Sequence, residues 1–287
     1  MDIPKLFDQF VQERQYLHNV RPKTIEWYRF SFKAFSPRLA QSFTDCASLR
    51  EALKGALMDL AASKLQPSSV NDYLRAIRAF LAWLHSEGHA HDLIRIAYLR
   101  CEQKTLATFS SQQVQRLLNW KPRTFAEHRL STLIRVFLDT GIRISEAIAL
   151  TWEAVDLDNM LLKVAGKGNK QRLVPFSFEL RKTLFRWHQM NKYPLVFASV
   201  TGTRADGRNV LRDMKWLANE LGISGVRVSP HTFRHTFATE YVRRGGNIFY
   251  LQKILGHSTL EMVQRYLNHQ TEDLQKAHHK LSLLSNA

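Results

Sequence analysis

Apolar side chains recur at spacings of three and four from Phe7 to Leu84, whereas clear alternation at spacing two appears in a single later stretch. That contrast constrains the fold most, because helices and strands demand different periods. Phe7, Phe10 and Val11 open one stripe. Ile25, Tyr28, Phe32 and Phe35 form a second behind Pro22, a residue suited to a first helical turn. Leu49, Leu53 and Leu60 make a third, with Ser48 the expected cap. Val70, Leu74, Ile77, Leu81 and Leu84 make a fourth, expected to start near Ser68 or Ser69 and to stop at Gly88. Four amphipathic helices with short connections predict a small bundle.

Residues 89–108 lose the pattern and read as a linker, with a domain boundary near Glu102–Thr108, taken between residues 103 and 104. Ser110 followed by Gln113 then predicts a capping box and a new helix. The alternating stretch, LLKVAGKGNKQRLVPF, predicts a hairpin. Leu161–Ala165 and Arg172–Phe176 are its strands, and Gly166-Lys167-Gly168-Asn169 its turn. Further helices are expected near 177–191, 208–221, 231–244, 247–255 and 259–267. The expected fold is mainly α with a small β component: a helical bundle over 1–103, then a mixed α/β domain over 104–287.

Charge narrows the choice of partner. The chain carries a formal +16, unevenly spread. Residues 1–103 hold 14 Lys+Arg against 11 Asp+Glu, and residues 104–287 hold 27 against 14. Such an excess suits a polyanion, because each neutralised phosphate releases condensed counterions. No apolar run approaches the roughly 18–20 residues that span a bilayer, and MDIPKLFDQF lacks the basic start and apolar block of a leader. A cytoplasmic, nucleoid-associated protein with no membrane partner is expected. Cys46 and Cys101 are too few for a metal knuckle and read as packing residues.

Three segments carry the chemistry. TGIRISEAIALTWEAVDLDN holds Arg143 and Glu146, HTFRHTFATEYVRRGG holds His231 and Arg234, and LGHSTLEMVQRYLN holds His257 with Tyr266 nine residues on. Singly, each has an ordinary reading: an ion-pair partner, a helix cap, a packing aromatic. Together, in this order and spacing and with the GKGNKQRLVP hairpin, they closely resemble the tyrosine recombinase family, the lambda-integrase-like and Xer-type enzymes. The resemblance covers residues 105–270 and is weaker over 1–100.

The resemblance implies a SAM-like core-binding, DNA-binding domain followed by a catalytic domain with a C-terminal tail helix, closing as a C-shaped clamp on duplex DNA. The larger phage integrases' arm-binding domain is not expected in this chain. The resemblance also implies catalytic roles by residue. Arg143 and Arg234 grip the scissile phosphate, Lys167 is the general acid, His231 and His257 are the active-site histidines, Tyr266 is the nucleophile, and Glu146 supports the cluster. Those residue types suit the task. Guanidiniums offer permanent charge and forked donors to phosphate oxygens, and a phenol, mostly protonated at neutral pH, needs a base such as His231. A phosphotyrosine ester keeps the bond energy for rejoining, so no cofactor and no metal is called for.

Partners implied are a double-stranded recombination site and a homotetramer on two such sites through C-terminal tail exchange, passing through a Holliday junction. An accessory DNA-bending or directionality protein is a further open partner. The HTFRH and GHSTLEMVQRY segments tilt the function towards mobile-element integration and excision. Xer-like dimer resolution and type IB topoisomerase-like relaxation stand as alternatives. A metalloenzyme built on His231 and His235 lacks the glutamate such a pair uses, and a non-catalytic DNA-binding regulator has no use for the tyrosine. Arg172, Arg243, Arg244 and Lys253 read equally as phosphate contacts or solvated charges.

Overall fold

Each of the four N-terminal stripes becomes a helix in the computed structural model, which describes residues 1–102, 107–166 and 171–256. They are α1 (Ile3–Tyr16), α2 (Pro22–Leu39), α3 (Cys46–Ala62) and α4 (Pro67–Ser86). Pro22 takes the first turn of α2, as its fixed φ favours. The cap of α3 is Asp45 rather than Ser48. Asp45 has the extended backbone a cap needs, and its carboxylate accepts the Ser48 N–H at 2.7 Å. Helix α4 starts a residue or two earlier than expected, at Pro67 behind Gln66, with no side-chain cap. It ends just before Gly88, whose φ of +73° a side chain would resist.

The chain divides into two units, Met1–Lys104 and Thr105–Ala287. Aromatic side chains dominate the core of the first. Phe7 stacks on Phe32 with ring centroids 4.0 Å apart and meets Phe80 edge-on at 5.3 Å. Trp83 packs on Phe10 and gives its indole N–H to Glu13 at 2.7 Å, the partner a buried indole requires. Each such ring withdrawn from water contributes about 1.5–3 kcal/mol.

Residues 89–102 are not the free linker their composition suggests. Ala90, Ile94 and Ile96 are buried in the bundle core. Asn71 reaches 28 residues along the chain, donating to the Leu99 carbonyl at 2.9 Å and accepting its N–H at 2.8 Å. A side-chain amide thus replaces the backbone partner a strand would have supplied.

The second unit is mixed. Its elements are α5 (Ser111–Asn119), α6 (Phe125–Thr140), α7 (Ile144–Ala147), β1 (Val155–Asp156), β2 (Leu161–Ala165), β3 (Gln171–Pro175), α8 (Phe178–Met190), α9 (Gly207–Glu220), α10 (Pro230–Arg243) and α11 (Ile248–Leu255). Ser110 and Gln113 form the expected reciprocal box at α5. Helix α6 is central, packing on α8 and α10, with Leu130, Leu133, Ile134 and Phe137 in the core.

The antiparallel sheet runs β1-β2-β3, with Leu162 opposite Val174 and Val164 opposite Arg172. Leu162, Val164 and Val174 are buried while Lys163 and Leu173 face outward. Arg172 therefore shares the inward face with the apolar residues. Among the described residues, no helix is long and apolar enough to cross a membrane. The helix expected over 259–267 lies outside the described residues.

Candidate active site

Two helix ends make the floor of the site. Helix α6 stops at Gly141 and α11 at Gly256, both left-handed, with φ of +61° and +64°. At Gly141 the requirement is double, since a Cβ there would also drive into the Phe237 ring and the Leu255 side chain. A helix ending this way leaves carbonyls without intrahelical donors and carries partial negative charge. Cations are the natural complement, and arginines supply them.

Three consecutive carbonyls at the end of α11 each receive a different arginine. Ile254 accepts from Arg172 Nε at 2.8 Å, Leu255 from Arg234 Nη2 at 2.7 Å, and Gly256 from Arg143 Nη2 at 3.3 Å. Arg234 also donates from Nη1 to the Gly141 carbonyl at 2.7 Å, bracing α6 against α11. At 4% exposure it is a buried guanidinium held by main-chain oxygens. Such fixed dipoles orient a charge without cancelling it.

Glu146 is the carboxylate of the cluster, with its side chain only 5% exposed. It takes the Arg143 backbone N–H at 2.7 Å and Arg143 Nη1 at 2.9 Å, which closes the single turn of α7. Arg172 grips both of its oxygens, Nη1 at 2.8 Å and Nη2 at 2.9 Å. Burial, the largest single influence, pushes this carboxyl upward. The bonds and charge of Arg172 together with those of Arg143 outweigh it and hold Glu146 below the usual carboxylate range. Glu146 is thus ionised at neutral pH, one carboxylate among three guanidiniums. The surplus is positive, and Arg143, 36% exposed at its side chain, is the member that reaches solvent.

Residues 107–273 match the family model described as the phage integrase family. Tyrosine recombinase XerD of Brucella melitensis is 30% identical over 283 residues, spanning 90% of this chain and 92% of its own. The chain belongs to the phage integrase family of tyrosine recombinases. In structure it resembles the Tn1549 transposon integrase solved with circular intermediate DNA, with a TM-score of 0.84, 18% identity, and coverage of 98% of this chain and 100% of that one. It also resembles the XerH site-specific recombinase bound to difH, with a TM-score of 0.71, 18% identity, and coverage of 96% and 83%.

In this recombinase Arg143, Glu146 and Arg234 come together around the ends of α6 and α11. His231 is exposed on the first turn of α10, one turn before Arg234. Lys167, His257 and Tyr266 lie outside the described residues. Of the four cations left open by sequence, Arg172 is part of this cluster rather than a solvated charge. Arg243 pairs with Glu240 at 2.8 Å on the surface, with Arg244 at 3.7 Å from the same carboxylate. The missed signal for Arg172 was its strand position: two residues before inward Val174, where an unpaired charge is costly. Among the described residues no group of His, Cys, Asp and Glu is arranged to hold a metal ion.

Proposed function

We propose that the recombinase cleaves each DNA strand by attack of the Tyr266 hydroxyl on the scissile phosphate, giving a 3′-phosphotyrosyl link and a free 5′ hydroxyl. The observation that carries this is the shared anchorage of Arg143 and Arg234 on the end of α11, with Arg234 also bonded to the end of α6. Two permanent charges fixed before substrate arrives suit a transition state that adds negative charge to an anion. His231, on the first turn of α10, takes the phenolic proton, with His257 as a second histidine at the phosphate. Lys167 protonates the departing 5′ oxygen, and Glu146 supports Arg143. Attack by a 5′ hydroxyl from a second duplex reverses each transfer. The phosphotyrosyl ester conserves the bond energy, so resealing needs no nucleotide.

In this reading residues 1–103 form the core-binding domain, residues 104–287 the catalytic domain with its tail, and four protomers act on two double-stranded sites through a Holliday junction. The biological task is integration and excision of a mobile element, on the strength of the HTFRH and GHSTLEMVQRY segments. Dimer resolution is the second reading, favoured by the XerD relative. Sequencing the DNA that purifies covalently attached from host cells separates them. Junctions at the ends of an element support the first, and one chromosomal site without an element supports the second. Recovery of no attached DNA would remove the cleavage reading itself.

Tail exchange links the protomers. Leu274, Ala277, Leu281 and Leu284 fall at spacings of three and four, one apolar stripe that needs a docking surface. A groove of about 910 Å³ in the second unit, with Leu118, Leu138, Leu180, Phe237 and Tyr241 in its lining, has the chemistry to receive it. Deleting residues 272–287 is expected to spare folding and single-site binding but to lower tetramer yield and strand exchange at least about tenfold, the penalty of losing a tethered contact. Light scattering on a two-site synaptic complex measures this, and normal tetramers would show that the tail only packs on its own subunit.

A further inference from the structure

Arg172 has no place in the chemistry set out above, yet its guanidinium is fully engaged. All three kinds of donor nitrogen are committed, Nη1 and Nη2 to the two oxygens of Glu146 and Nε to the Ile254 carbonyl. Its side chain is 15% exposed and rises from the inward face of β3, opposite Val164. The backbone of Gly256 passes so close that a Cβ there would stand 3.0 Å from the Arg172 Nη1. One side chain therefore ties together three chain segments: the hairpin, the turn holding Arg143 and Glu146, and the end of α11.

Charge gives this arrangement a purpose beyond tethering. A carboxylate facing Arg143 alone would neutralise the very charge that a phosphate must meet. With Arg172 bidentate on Glu146, that pair is close to neutral as a unit. Arg143 then keeps the geometric benefit of two bonds to Glu146 while retaining its charge for substrate. Lysine could not serve in the same way, since a single ammonium cannot span both oxygens and reach the Ile254 carbonyl.

We infer that Arg172 is a positioning residue for DNA cleavage, balancing Glu146 so that Arg143 is held in place but left charged. The inference rests on the reading of Arg143 as a phosphate clamp. Its test is single-turnover cleavage of a nicked suicide duplex by the full-length protein, with site affinity and thermal unfolding measured on the same samples.

Arg172→Met is expected to slow cleavage at saturating DNA by about 10- to 100-fold, the usual effect of removing a group that orients a reacting one, with site affinity within about threefold. Arg172→Lys should fall between this variant and wild type. Adding Glu146→Gln to Arg172→Met should raise the rate by at least about fivefold over Arg172→Met alone, because the unbalanced carboxylate is gone. A purely structural tether predicts no such recovery. Should Arg172→Met fail to fold, the same comparison is made with Arg172→Gln, a neutral side chain that still hydrogen-bonds, with and without Glu146→Gln.

Wild-type cleavage by the Arg172 variants, or a loss of rate matched by lost site affinity and not recovered by Glu146→Gln, overturns the inference. Arg143→Ala separates the two ideas. If it cleaves normally, the clamp reading falls and the inference with it. If it is inactive while Arg172 variants cleave normally, only the inference falls.

Discussion

The Tyr266→Phe recombinase is expected to bind its site as wild type does and to form no protein–DNA adduct that survives SDS. Removing one oxygen keeps the aromatic ring but takes away the atom proposed to bond phosphorus. Loss of a nucleophile costs on the order of 10⁴-fold or more, because the covalent step cannot occur without the attacking oxygen. Tyr241 and Tyr250 lie on α10 and α11, before the Gly256-His257 pair, whereas Tyr266 follows it at the family's spacing. A labelled suicide duplex run on a denaturing gel reads the outcome. Adduct at the wild-type level would remove Tyr266 from the mechanism.

The second large effect separates proton transfer from charge stabilisation. Lys167→Ala should slow cleavage by about 10²- to 10⁴-fold on an ordinary phosphodiester, the range for losing a general acid. It should recover most of that on a substrate whose 5′ bridging oxygen is sulfur, because a thiolate departs without a proton. Arg143→Ala and Arg234→Ala should each lose about 10²- to 10³-fold and recover nothing, since the role proposed for them is at the non-bridging oxygens. Arg234→Ala carries an added cost: it strips donors from the buried carbonyls of Gly141 and Leu255, at roughly 1–3 kcal/mol for each group left unpaired. Its folding must be verified alongside its rate. Equal rescue of all three variants would show that Lys167 is not the acid.

What the sequence made legible and what it hid follow from range. The helix stripes and both hairpin strands are local patterns, and they read true to within a residue or two, as does the Ser110–Gln113 box. Arg143, Glu146 and Arg234 could be named from motif and spacing alone. The geometry adds that Arg143 and Arg234 both bond carbonyls at the end of α11 and that Glu146 holds Arg143. Ser48 was passed over for Asp45 because both are capping types, and only the backbone angles decide between them. The docking of residues 89–102 depends on Asn71, a contact 28 residues long with no periodic trace. The single turn of α7 and the two residues of β1 are too short to show a period. Arg172 differs from these. Its inward position was written in the alternation with Val174, and a charge on a core face should have prompted a search for its partner.

The end of α11 has a consequence for insertions and deletions. The carbonyls of residues 254, 255 and 256 are matched one-to-one with guanidiniums from β3, from α10 and from the segment after α6. One residue more or fewer within α11 turns its end by about 100° and moves it about 1.5 Å. Every guanidinium would then meet the wrong oxygen, and no single shift of one element could correct three mismatches arriving from three directions. Length is therefore as constrained in α11 as residue identity.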